Sequence, residues 1–154
     1  MSTAARTFGA NIVASPAQVA ARAAALTGAH PEDQISVAGP DGLEAMVALC
    51  RLGFDKVECA RAATCRGADE ASDLLLIAGP MTGAELAQTV GRTARLLRED
   101  GAMAIQISHA GDEAAARAVL ASLGLEATAT LTDRACGRMA VFTVRRRAGL
   151  RAVG

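Results

Sequence analysis

The chain has 154 residues, half of them apolar. That is enough for one domain with a real core, and it excludes a disordered polymer. Sixteen basic residues balance sixteen acidic ones, so no net charge pulls the chain toward nucleic acid.

No apolar run of roughly eighteen residues occurs, so no membrane span is expected, and no secretory signal is visible at the start. The cysteines Cys50, Cys59, Cys65 and Cys136 form no CxxC pair. They read as reduced thiols of a cytoplasmic protein. Trp and Tyr are absent and only Phe8, Phe54 and Phe142 are aromatic, which leaves few platforms for stacking bases. Lys56 is the only Lys among the basic residues, an Arg bias that fits a GC-rich bacterial genome.

Residues 1–14 read as a loose arm, 15–147 as a single domain and 148–154 as a basic tail. Ser15-Pro16-Ala17-Gln18 has the form of a capping box with Pro at the first helical position. Val19, Ala20, Ala23 and Leu26 continue it as a helical stripe that Gly28 ends. Ile35–Ala38 is short and β-branched, a buried strand. Gly39-Pro40-Asp41-Gly42 is a turn, with Asp41 placed to cap the next helix. Leu43, Met46, Val47 and Cys50 have the spacing of that helix's buried face, and Gly53 closes it.

Residues 56–60 read as a second strand, and 61–72 as a small, polar connection. Leu74-Leu75-Leu76-Ile77 is the strongest strand signal. A run without alternation implies burial on both faces, as in a parallel sheet. After Gly79-Pro80, Thr82-Gly83-Ala84-Glu85 is another capping box. Its helix carries Leu86, Val90, Ala94 and Leu97 on one face and is expected to stop at Gly101. Met103–Ile107 is a fourth strand. Residues 112–123 form a helix burying Ala115, Ala116, Val119, Leu120 and Leu123, ended by Gly124. Leu125–Thr132 and Met139–Arg145 should pair as antiparallel strands.

Alternating strands and helices imply a parallel α/β sheet with right-handed crossovers. Within that class, two segments and the final hairpin carry a resemblance. Ala94–Ile105 looks like a helix end and Gly turn before a fifth strand. Leu120–Leu125 looks like the helix end before a sixth strand. The hairpin closes on Val141-Phe142-Thr143-Val144. Over roughly residues 33–147 the order resembles a class I S-adenosylmethionine (SAM) methyltransferase, a Rossmann-like fold here in reduced form. The resemblance implies a mostly parallel sheet with Leu74–Ile77 central, Ile35–Ala38 beside it, and a C-terminal antiparallel hairpin.

It also implies a SAM site at Gly39, Pro40, Asp41, Gly42, Glu58, Ala78, Gly79 and Pro80. The family's GxGxG is worn: Gly39 matches the first Gly, Asp41 falls at the second and Leu43 at the third, with Gly42 out of register. Glu58 lies near the offset of the acid that holds the ribose hydroxyls; it also reads as a strand residue facing solvent. The family's third strand has no counterpart, since only residues 61–72 precede the Leu74 run. Ala78-Gly79-Pro80-Met81 lacks the Asn or Asp with Pro-Pro-Tyr that amino-methylating members use.

Two functions follow. One is a methyltransferase-like protein that has lost catalysis and binds a small molecule or a protein. The other is an active SAM-dependent enzyme acting on a small molecule or protein. His109 ends the fourth strand without an identifiable partner carboxylate, and no metal set is present. Arg145, Arg146, Arg147 and Arg151 give nucleic-acid binding its only support. A homodimer is expected through the surface of residues 57–72, where the missing unit would have packed.

Overall fold

The computed structural model describes residues 14–60, 70–133 and 138–146, with the backbone alone for 129–133. The arm before residue 14, the connection at 61–69, the hairpin turn at 134–137 and the tail from 147 lie outside them. So do Cys65 and Cys136.

Helix α1 (Pro16–Thr27) opens on the expected capping box: the Ser15 hydroxyl accepts from the Gln18 N–H, and the Gln18 side chain accepts from the Ser15 N–H. It ends at Gly28, whose φ of 65° is the left-handed conformation that glycine adopts without penalty. Then follow β1 (Gln34–Ala38), α2 (Gly42–Arg51), β2 (Lys56–Cys59), β3 (Ser72–Ile77) and α3 (Gly83–Thr93). A 3-10 turn at Ala94–Leu96 leads into β4 (Leu97–Ile107), then α4 (Asp112–Ser122), β5 (Leu125–Asp133) and β6 (Arg138–Arg146).

The six strands form one sheet in the order β2-β1-β3-β4-β6-β5. β2, β1, β3 and β4 are parallel, and β6 lies antiparallel between β4 and β5. The Leu74 run is interior and β1 is its parallel neighbour, Ile35 opposite Leu74, as its uniform hydrophobicity requires. Among the described residues β2 is an edge strand.

Two cores flank the sheet. On one side, α1 and α2 cover Ile35, Val37, Leu74, Leu76 and Ala104. On the other, α3 and α4 cover Leu75, Ile77, Met103, Ile105 and Phe142. Alternate residues of β3 therefore feed opposite cores.

Four sequence expectations need correction. Gly101 does not end the α3 helix. The α-helix stops at Thr93, Leu97 already belongs to β4, and Asp100 (φ 61°) with Gly101 forms a bulge, because β3 steps from Ser72 to Leu74 while β4 steps from Leu97 to Ala102. The buried face of α2 is shifted in phase. Gly42, Ala45 and Leu49 face inward, while Leu43 and Val47 are exposed. Small residues let this helix sit close to β1 and β2, and proximity outweighs the larger side chains. Leu123 is exposed rather than buried. Finally, the Asp41 side chain makes no capping hydrogen bond. Its ψ of 18° is outside the extended region from which a side chain reaches the first helical N–H groups.

Candidate functional site

In open α/β sheets ligands bind outside the carboxyl ends of the strands, where the strand order reverses. Here that point lies between β1 and β3, because the chain leaves β1 toward β2 and returns to β3 on the other side. Two glycines mark it. Gly39 follows β1 with φ 95°, and Gly79 follows β3 with φ 107°. A side chain is strained at either position.

Their surroundings show what the glycines accommodate. A Cβ on Gly39 would lie 2.3 Å from the Ala78 carbonyl oxygen; one on Gly79 would lie 2.8 Å from the Asp41 nitrogen. The Asp41 N–H donates to the Ala78 carbonyl at 3.1 Å, and the Ala78 N–H donates to the Ala38 carbonyl at 2.9 Å. The Gly79 N–H donates to Oε1 of Gln106 on β4 at 2.8 Å. The two strand-end loops are therefore joined backbone to backbone. Gly42 has no such role: a Cβ there would meet Cys59 Sγ at an ordinary 3.5 Å.

Beside the joined loops a cleft of about 440 Å³ opens between β1, β2 and α3. Gly39, Pro40 and Leu43 form one wall, Cys59 and Ala60 the end of β2, and Met81 the floor. The far wall is α3, which contributes Glu85, Gln88, Thr89 and Arg92. The spacing i, i+3, i+4, i+7 puts these four on one helical face. Glu85 is fixed by its capping box, accepting from the Thr82 N–H at 2.9 Å. That bond, and then the Thr82 hydroxyl, hold its carboxyl below the ordinary carboxylate value. Arg92 makes no ion pair with a described residue.

The eight residues expected at a cofactor site are therefore divided. Gly39 and Pro40 line the cleft. Asp41, Ala78 and Gly79 form the loop-to-loop contact, Pro80 is exposed after it, and Gly42 begins α2 under Cys59. Glu58 is turned back along the sheet, where its Oε1 accepts from Gln34 Nε2 at 3.0 Å. The polar stripe of α3 was missed. Its signal was present in the sequence, as the polar face opposite Leu86 and Val90.

At the end of β4, His109 does have a carboxylate neighbour. Asp112 is buried and accepts from the Ser108 and His109 N–H groups at 3.1 and 2.9 Å, with His109 Nδ1 at 3.8 Å. This ties the turn to the first residue of α4. Among the described residues no group of His, Cys, Asp and Glu could hold a metal ion, and no helix is long and apolar enough to cross a membrane.

No family model matches the sequence, and a search of curated proteins gives no match. Solved structures do match. The sugar N-methyltransferase KedS8 from Streptoalloteichus sp ATCC 53650 superposes with a TM-score of 0.56 at 13% identity, covering 95% of this chain and 92% of that one. CalS10, an amino pentose methyltransferase from Micromonospora echinaspora in a SAM-bound structure, gives 0.54 at 13%, covering 93% and 96%. The chain has the class I SAM-dependent methyltransferase fold. The mitomycin 7-O-methyltransferase MmcR gives 0.51 at 16%, and the chain spans about half of its length, 52%. The antiparallel β6 between β4 and β5 is the hairpin that the resemblance led us to expect. At these identities the likeness defines the fold of this methyltransferase-like chain, and a fold by itself carries no function.

Proposed function

We propose that this methyltransferase-like protein has lost methyl transfer and acts by binding a small polar molecule in the cleft beside α3. The joined loops at the switch point carry the reading. A Cβ at Gly39 would meet the Ala78 carbonyl and one at Gly79 the Asp41 nitrogen, so both glycines serve the close approach of the two loops, a packing role that needs no cofactor. The group expected on the ribose, Glu58, is engaged by Gln34 instead, and among the described residues the β2 end of the cleft offers Cys59 and Ala60. These residues fit a SAM grip poorly.

The cleft still suits a ligand. Its volume falls within the roughly 300–1,000 Å³ usual for small-molecule sites. Arg92 supplies a cation for a carboxylate or phosphate, and Glu85 supplies a fixed acceptor about 10 Å away along α3. A small anion with donors at its far end matches that pair.

A working SAM-dependent enzyme is the second reading. It is supported by Gly39 and Pro40 remaining on the cleft wall, and by SAM being present in the matched CalS10 structure. Calorimetric titration with SAM and S-adenosylhomocysteine separates the two. Absence of heat at millimolar ligand is the expected result. Micromolar binding of either would overturn the proposal and favour the enzyme.

A further inference from the structure

Helix α2 carries apolar side chains on its outer face. Leu43 and Val47 are 49% and 41% exposed, and Leu52, just past the last turn, is 53% exposed. With Ala48 and the first turns of α1 they line an apolar groove of about 580 Å³, bordered by Glu44 and Arg51. Single exposed apolar residues are ordinary, but a contiguous stripe marks an interaction face.

The order of residues along α2 says what fits there. Consider a twofold axis across the helix between residues 47 and 48. It maps position 43 onto 52, 44 onto 51, and 47 onto 48. An antiparallel copy of α2 then sets Leu43 against Leu52, Glu44 against Arg51 and Val47 against Ala48, each pair occurring twice. Such self-complementarity is the requirement of an isologous interface. The two Glu–Arg pairs bracket the apolar centre, about 10 Å apart at about 1.5 Å of rise per residue. We propose that the α2 face is a homodimer interface, covered by a second copy of this chain packed antiparallel across it.

The neighbouring edge strand is a poorer surface for assembly. Lys56 and Glu58 of β2 are exposed charges, the usual guard against edge-to-edge pairing. The dimer therefore forms through the helix rather than through the β2 surface that a missing strand suggests. Leu43 belongs to both the groove and the rim of the α3 cleft, so the second copy also narrows the cleft mouth. The inference stands independently of what the cleft binds. Two helical turns and the start of α1 make a small face beside the roughly 800 Å² per partner of a standard interface, so association should be weak.

Sedimentation equilibrium of the full chain from micromolar to millimolar concentration tests this. The mass should rise from 15.6 kDa toward twice that value. E44R and R51E each set like charges face to face and should weaken association at least tenfold. The double variant E44R/R51E restores opposite charges at every pair and should recover near wild-type association. Both residues are exposed, and circular dichroism melts verify that each variant folds. A wild-type chain that stays at 15.6 kDa throughout overturns the proposal. So do folded single variants that associate as wild type, or a folded double variant that remains monomeric.

Discussion

Gly39→Ala separates a packing role for the switch-point glycine from a cofactor role. Its Cβ would lie 2.3 Å from the Ala78 oxygen and 3.1 Å from the Ala78 carbon and nitrogen, all backbone atoms. No side chain can rotate away, so the end of β3 must retreat by about 1 Å to reach ordinary contact. That retreat disturbs the Asp41-to-Ala78 and Ala78-to-Ala38 hydrogen bonds, worth about 0.5–1.5 kcal/mol each. The φ of 95° adds about 1–2 kcal/mol for any residue with a Cβ. The sum is about 2–5 kcal/mol, a large share of the roughly 5–15 kcal/mol that holds a domain together. Gly28→Ala is the control. It has φ 65° with nothing within 4 Å, so it should lose only the backbone part, about 1 kcal/mol. Gly42→Ala, without positive φ and at an ordinary contact distance, should be near neutral. Urea unfolding midpoints at constant slope report all three. A Gly39→Ala variant no less stable than Gly28→Ala would refute the joined-loop geometry. Loss of SAM binding at unchanged stability would return Gly39 to a cofactor role.

The shifted phase of α2 predicts that Leu49→Ala costs about 2–5 kcal/mol, whereas Val47→Ala stays within about 0.5 kcal/mol at concentrations where the chain is monomeric; chemical denaturation compares them. Asp112→Ala leaves the Ser108 and His109 N–H groups without their acceptor and should cost about 1–3 kcal/mol, read as a lowered thermal midpoint. Glu85 gives a pH signature. Its folded carboxyl titrates below the ordinary value of 4.5 because of the Thr82 N–H and then the Thr82 hydroxyl. The stability it adds is complete above that ordinary value and disappears as pH falls through the lower, folded one. Carboxyl-carbon NMR titration should show Glu85 moving up toward 4.5 in Thr82→Ala; an unmoved titration would remove the hydroxyl from the cause.

What the sequence determined by itself was whatever is written locally. The Ser15–Gln18 and Thr82–Glu85 capping boxes are contacts within one turn, and both form as read. The unbroken Leu74–Ile77 run had to be interior, because a strand with no polar face has no side to give to water. The order of strands and helices, with its final hairpin, was enough to name the fold. Phase and direction were not local. Leu43 and Val47 are as apolar as Leu49, and only the closeness of β1 and β2 decides that Gly42 and Ala45 turn inward. Gly101 reads as a helix stop, yet the β3–β4 register makes it a bulge. The Gly39 turn looks like room for a ligand in one dimension. In three, its missing Cβ also lets the carbonyl of Ala78, distant in sequence, come close, so that the backbone donors and acceptors of two strand ends meet there and satisfy one another.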